Sequence, residues 1–189
     1  MKKGYKQAAS NIKARMNANY AMHYCEAIDS SAFRGATKSE KNKILQKKAY
    51  LTTFAQSNLY EQFLILQAFV GKDSYLSEMV DKALSGKLDK LKGFLSCGWI
   101  KPDDATDKKI QGVVKSVIKD EMQPFLQKVS TTDASFICYM LREDADTRKG
   151  EDGFQSVGRY LTYAKLMALV TVIKEKIDEE FNTGKINFE

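Results

Sequence analysis

The chain has a single histidine, His23, among its 189 residues, which limits every mechanism built on an imidazole. Cys25 is two residues away, but helical neighbours are three or four residues apart, so on a predicted helix the two side chains point to different faces. We therefore expect neither a metal site nor a Cys–His nucleophile there. The sequence also lacks a Gly-rich phosphate loop, a G-x-S-x-G elbow and an H-E-x-x-H motif. These absences predict a protein that is not an enzyme, needs no cofactor and has no evident small-molecule substrate.

Cysteines are few, and Cys25, Cys97 and Cys138 are far apart and outside any C-x-x-C spacing. This pattern is typical of reduced, buried thiols in a cytosolic protein and not of a disulfide framework. No apolar run reaches the roughly 18 residues that a membrane span needs. The basic N-terminus also lacks the apolar block of a secretory signal. We therefore expect a cytoplasmic protein without a membrane partner.

Proline is scarce too, with two residues in the whole chain. Alternating runs rich in Val, Ile and Thr are absent, whereas apolar residues recur at i, i+3 and i+4 along most of the sequence. A composition of 43% apolar and 29% charged residues is that of a globular domain. The prediction is an all-α fold: a single-domain bundle of about six to eight helices over residues 1–189.

Local signals predict where the helices begin and end. The first helix is expected from about Tyr5 to Ile28. Thr37 and Glu40 form a capping box for the second, which extends to Val70 with QSN at 56–58 as a candidate break. Further helices are predicted after Asp73, through Leu88, Leu91, Phe94 and Leu95, after Asp103 up to Pro124, from Ser130, and from Phe154 to Phe181.

Residues 142–153, REDADTRKGEDG, are predicted to be a polar loop. Asp144 and Asp146 have the spacing of the first two ligands of a calcium loop. The next ligand position is Arg148, a cation where an oxygen ligand is required, so we predict a solvated loop instead.

Positive charge is concentrated near the N-terminus. Residues 1–50 contain eleven Lys and Arg but three acids, a net charge of +8, whereas the whole chain carries +6. Such asymmetry predicts a positive field on one side of the molecule, which attracts nucleic acid, acidic protein or anionic lipid.

Four of these lysines lie in KNKILQKKAY, residues 41–50. On a helical wheel Lys43, Lys47, Tyr50 and Phe54 share one face, where ammonium groups could neutralise phosphates and rings could stack on bases. In the alternative, Tyr50 and Phe54 pack on a neighbouring helix and the lysines cover its edge. A different stripe is predicted to face the core: Ile44, Leu51, Thr52, Ala55, Leu59, Phe63, Leu66 and Val70. Lys48 projects near that stripe, so it must reach solvent, form an ion pair or point into a groove.

A second basic and aromatic group lies on the final predicted helix: Arg159, Tyr160, Tyr163 and Lys165. Arg159 and Tyr163 are i, i+4 neighbours. They are either a further nucleic-acid contact or part of the helix packing, since tyrosine commonly lies at the core boundary.

The order of these features resembles the small, all-helical subunit of type III-B CRISPR effector complexes. The resemblance rests on KNKILQKKAYLTTFAQSN, a Lys-rich helix that breaks near an Asn, on the apolar LYEQFLILQAFVGK that follows, and on the final GRYLTYAKLMALVTVIKEKI. The chain departs from that family by lacking a Gly after the Asn, and residues 101–153 resemble an insertion. The resemblance implies a non-catalytic subunit of an antiviral defence complex that contacts guide and target backbones without reading sequence, with Lys43, Lys47, Lys48 and Arg159 as phosphate contacts.

Two functions therefore remain open. In the first, the protein binds a nucleic-acid backbone, RNA above all, as a subunit of a larger ribonucleoprotein assembly, using Lys43, Lys47, Lys48, Tyr50 and Arg159. In the second, it is an adaptor or inhibitor whose basic N-terminal face binds an acidic protein.

Overall fold

The computed structural model describes residues 2–88, 91 and 99–183. Every named element in these ranges is a helix, which confirms the all-α prediction. The helices are α1 (Lys2–Ala27), α2 (Ser31–Arg34), α3 (Lys38–Ala55), α4 (Leu59–Phe69), α5 (Tyr75–Ala83), α6 (Asp104–Leu126), α7 (Thr131–Asp146) and α8 (Val157–Asn182). None of the described helices combines the length and the apolarity that crossing a bilayer requires.

Side-chain caps fix most helix starts, as the local signals predict. The Thr37 hydroxyl accepts from the Glu40 amide at 3.2 Å, and the Glu40 carboxylate accepts from the Thr37 amide at 2.9 Å. A second capping box joins Asn58 and Glu61, so the predicted break at 56–58 is confirmed. Each box satisfies backbone N–H groups that would otherwise lack partners at a helix start. At the starts of α6, α7 and α8 the side chains of Asp103, Ser130 and Ser156 each accept a hydrogen bond from a backbone N–H of the first turn.

The ends of α6 and α7 differ in how well they match the predicted boundaries. The predicted polar loop over residues 142–153 is wrong in its first part, because α7 continues to Asp146. Leu141 and Ala145, both 0% exposed, extend the buried stripe of α7 by one more turn. Pro124 lies in the last turn of α6, which ends at Leu126, so the expected helix end is observed. Of the predicted segment from Leu88 to Leu95, Phe94 and Leu95 lie outside the described residues.

One continuous core joins α4 to α8 with the inner faces of α1 and α3. Its centre is aromatic: the Phe125 ring lies 5.3 Å from Phe54 and 4.8 Å from Phe69, measured between centroids. α6 and α7, which fall in the segment that resembles an insertion, contribute fully buried residues such as Val114 and Leu141. A small separate cluster of Ala27, Phe33 and Leu45 lies where α1, α2 and α3 meet.

The start of α8 is held by the residues that precede α6. Ile100 and Phe154 exchange two backbone hydrogen bonds of 2.8 Å. Gly153 next to them has φ +113°, and a Cβ there would lie 2.5 Å from the Ile100 carbonyl oxygen. A side chain at position 153 would therefore open this contact and shift the first turn of α8.

The cysteine prediction is half right. Cys138 is buried, and burial raises the pKa of its thiol. Cys25 is exposed on α1, which contradicts the prediction that it is buried, and Cys97 lies outside the described residues. Nearby, His23 bonds Thr52 through Nε2 at 2.7 Å and Glu26 through Nδ1 at 3.2 Å. Among the described residues no three His, Cys, Asp or Glu side chains converge as metal ligands would.

Candidate nucleic-acid interface

The inner face of α3 carries the aromatic residues that the sequence placed on a contact surface. Tyr50 is 4% exposed and Phe54 is 0% exposed. The Tyr50 ring packs edge-on against Phe69 at 5.1 Å, and its hydroxyl donates to the Ala68 carbonyl at 3.3 Å. Burial, with a contribution from Asp73, raises the pKa of Tyr50 to about 12. Tyr50 is therefore a core residue, and the prediction that it contacts nucleic acid is wrong because its ring has no exposed face on which a base could stack.

The stripe predicted to face the core is divided between solvent and core. On α3, Ile44 is 39% exposed and Ala55 is also exposed. On α4, Phe63, Leu66 and Val70 are buried, as predicted. The break at 56–58 ends one helix and starts another, so the wheel of α3 does not continue into α4. On α3 itself two apolar stripes compete, and the stripe with the larger rings is buried because it removes more apolar area from water.

Lys43 and Lys48 are the two predicted contacts on α3 that the structure leaves available. Lys48 is exposed and Lys43 is half-buried. Neither ammonium forms an ion pair within the part of the chain that the structure describes. Lys48 therefore reaches solvent, the first of the three outcomes expected for it. A surface lysine without an acidic partner is free to approach a phosphate.

Lys47 is instead tied to the protein. Its ammonium lies 3.2 Å from a carboxylate oxygen of Glu121 on α6. The same carboxylate accepts a 2.9 Å hydrogen bond from the hydroxyl of Tyr75. Burial, with the charge of Glu121, raises the pKa of Tyr75. Because Glu121 already neutralises Lys47, this lysine is a weaker phosphate contact than its neighbours.

A third lysine, Lys41, belongs with the available pair. Its ammonium lies 5.1 Å from the centroid of the Phe33 ring, a cation–π contact on α2. Lys41, Ile44 and Lys48 are spaced i, i+3, i+7, so they follow one side of the helix. Lys43 lies about 100° from Ile44 around the helix axis, at the edge of the buried stripe that contains Tyr50 and Phe54. We call Lys41, Lys43 and Lys48 with Ile44 the α3 basic face. The spacing was readable in the sequence, but Lys41 was not among the predicted contacts.

The cleft beside this face does not suit an anion. A cavity of about 540 Å³ lies between α2, α3 and α6. Two lysines, Lys43 and Lys47, and two acids, Glu40 and Glu121, are the charged residues of its lining. Its charges cancel, so a phosphate would gain more from the outer surface of α3 than from the cleft.

Arg159 is exposed at the start of α8 and donates to the Gln155 amide oxygen at 3.2 Å. It does not join the α3 basic face. Its neighbour Tyr160 is 0% exposed and donates to Asp107 at 2.7 Å, which places this end of α8 beside the start of α6. Glu121, the partner of Lys47, is 14 residues further along α6 than Asp107. At 1.5 Å per residue, about 21 Å of helix separates the end of α6 beside Tyr160 from the end beside α3. Of the second predicted group, Tyr160 and Lys165 are buried and Tyr163 packs against Phe154.

Comparisons of the chain with protein-family models, with curated proteins and with solved structures found no match. The function of the α3 basic face therefore rests on its own chemistry. That chemistry is three lysine ammonium groups around a half-exposed isoleucine, on the most positively charged quarter of the chain.

Proposed function

We propose that this protein binds the phosphate backbone of a nucleic acid, RNA above all, through the α3 basic face, as a non-catalytic subunit of a larger ribonucleoprotein assembly. The observation that supports this most directly is that Lys43 and Lys48 lack an acidic partner among the described residues while residues 1–50 carry a net charge of +8. Lysines that neutralise phosphates release condensed counterions, which drives binding without any base contact. Because Tyr50 and Phe54 are buried, the contact positions the nucleic acid without reading its sequence.

The choice of RNA, and of a role as one subunit of an assembly, is supported by the resemblance of the helix order to the small subunit of type III-B CRISPR complexes. The same resemblance implies that the assembly acts in antiviral defence, and we include this role in the proposal. A subunit of this kind would use the α3 basic face on the nucleic acid and other surfaces on neighbouring protein chains.

The test is fluorescence anisotropy with labelled single-stranded RNA and with DNA of the same sequence, at several salt concentrations. The logarithm of the association constant should fall linearly with the logarithm of the salt concentration. In the double variant Lys43→Glu/Lys48→Glu, loss of two phosphate contacts should reduce the magnitude of that slope by about 1.4, at roughly 0.7 per phosphate on a single strand.

The matched control is Lys108→Glu/Lys149→Glu, which changes two exposed lysines away from α3. Each change lowers the charge by two, so both double variants carry +2 instead of +6. The α3 variant should lose affinity and slope, whereas the control should keep the slope of the original protein. Equal losses in both would show that total charge and not the α3 basic face governs binding. Failure of the unaltered protein to bind either nucleic acid at low salt would count against the proposal.

One observation favours the second function, an acidic protein partner. Ile44 is 39% exposed at the centre of the α3 basic face. An apolar side chain surrounded by charges is typical of a protein interface, whereas a phosphate backbone gains nothing from it. Ile44→Ala should therefore leave nucleic-acid affinity unchanged, and it should weaken binding only if the partner is a protein.

A further inference from the structure

A second cationic site lies away from α3, in a cavity of about 380 Å³ between the α4–α5 turn and the first half of α8. We call it the α4–α8 cavity. Its charged lining consists of Lys72 on the turn, Asp81 on α5, Arg148 after α7 and Lys165 on α8. Its volume is within the range of small-molecule sites. None of these residues belongs to the α3 basic face, so the cavity is independent of the function proposed above.

Lys165 is the most unusual residue of the cavity because it is a lysine with 7% exposure in a buried stretch of α8. Its ammonium donates to the Ser77 hydroxyl at 2.8 Å and to the Asp81 carboxylate at 3.1 Å. An ammonium has three N–H donors, and the third has no acceptor among the described residues. Asp81 is a weak counterion, since its side chain is 59% exposed to water.

Arg148 brings further unused donors to the same cavity. Its Nε is buried and has no hydrogen-bond partner among the described residues. One terminal nitrogen is 3.5 Å from Asp144, whose other oxygen accepts from the Gln67 amide at 2.8 Å. Buried N–H groups in proteins nearly always have an acceptor, so the contacts within the described residues leave the Arg148 guanidinium incompletely satisfied. The planar guanidinium fits two oxygens of one tetrahedral anion.

The charges of the cavity favour an anion. Three cations line it against one carboxylate, and Lys72 is exposed at its edge without an ion pair to a described residue. When Asp144 behind Arg148 is included, an excess of one positive charge remains. Leu161 and Leu166 give the lining an apolar wall, and the half-exposed Tyr5 ring also lines the cavity. Such a site offers charge to a phosphate and apolar contact to an organic body.

From these contacts we infer that the α4–α8 cavity binds a phosphate monoester. Arg148 and Lys165 hold the phosphate oxygens, Lys72 adds charge at the edge, and the esterified group lies along the apolar wall. The monoester is either a small phosphorylated molecule or the phosphorylated end of a nucleic acid, since both present the same dianion.

Calorimetric titration with AMP, inorganic phosphate and adenosine tests this. AMP should bind, and adenosine should bind at least about tenfold more weakly, because the charge-assisted bonds go to the phosphate. Arg148→Gln should reduce AMP affinity by at least about tenfold on the same grounds. Lys149→Gln, an exposed neighbour outside the cavity, should change it by less than about twofold.

Lys72→Gln serves as a second variant, because Lys72 is exposed and its loss cannot unfold the core. It should reduce AMP affinity by about threefold. The inference is overturned if AMP and adenosine bind equally, if folded Arg148→Gln keeps full affinity, or if neither AMP nor phosphate binds the unaltered protein at millimolar concentration.

The Lys43→Glu/Lys48→Glu variant distinguishes the two sources of phosphate and separates this site from the α3 basic face. AMP should bind it normally. Competition by 5′-phosphorylated RNA but not by 5′-hydroxyl RNA would assign the site to a nucleic-acid end. Competition by neither, with AMP still bound, would assign it to a small molecule. Loss of AMP binding in this variant would overturn the inference that the two sites are separate.

Discussion

Replacing Phe54 with alanine tests which face of α3 is buried. Phe54 is 0% exposed and its ring packs edge-on against Phe125 at 5.3 Å. Truncation of such a phenylalanine removes its transfer free energy and leaves a cavity, at a cost of about 3–5 kcal/mol. For a chain of this size each kcal/mol corresponds to roughly 2–4 °C. We therefore expect the melting temperature to fall by about 6–20 °C.

Ile44→Ala is the matched control, because Ile44 lies on the stripe that the sequence assigned to the core. Because Ile44 is 39% exposed, its truncation opens to solvent and leaves no closed cavity in the core, and alanine is the better helix former. The free energy of unfolding should change by no more than about 0.5 kcal/mol. Urea unfolding followed by far-UV circular dichroism measures both variants. A loss for Ile44→Ala equal to or larger than that for Phe54→Ala would refute the assignment of the two faces.

Two further predictions concern the buried hydroxyl of Tyr50 and the capping hydroxyl of Thr37. Burial raises the pKa of Tyr50 to about 12 from its ordinary 10.0, so the stabilisation from its neutral form is complete below pH 10 and is lost as the pH rises through 12. Between pH 10 and pH 12 the free energy of unfolding should fall by about 1.4 kcal/mol per pH unit because of this one group. In urea titrations at several pH values, Tyr50→Phe should make the dependence of the free energy of unfolding on pH shallower by that amount. An identical pH dependence in both proteins would contradict the raised pKa of Tyr50. Thr37→Ala removes the hydroxyl that caps α3 and should cost about 1 kcal/mol, whereas Ser39→Ala in the same exposed first turn should change stability by less than about 0.5 kcal/mol in the same assay.

The helix boundaries could be predicted because their signals are local. Thr37 and Glu40 are three residues apart, and the capping box between them depends on nothing else in the fold. The break before Asn58 has the same origin. Side-chain caps act on backbone groups in their own turn, so sequence order alone reveals them.

The buried face of α3 could not be predicted in this way. A wheel shows that Ile44 and Tyr50 lie on different apolar stripes, but it does not show which stripe meets Phe69 and Phe125. The α4–α8 cavity was even harder to predict from the sequence. Lys165 and its partner Ser77 are 88 residues apart, so only the tertiary fold brings them together. By its spacing Lys165 belongs to a basic and aromatic group on the last predicted helix, whereas in the fold its ammonium is buried and donates to Ser77 and Asp81.

The separation of α3 into an aromatic inner face and a lysine-bearing outer face has an evolutionary consequence. Lys41, Lys43 and Lys48 form no ion pair with a described residue, so they can be exchanged with little effect on the core, and the affinity of this surface can drift while the fold persists. Lys47 is the exception. Through Glu121 it is connected to the buried hydroxyl of Tyr75, so a change there reaches the core. Among variants of this chain, substitutions should therefore accumulate at positions 41, 43 and 48 sooner than at 47.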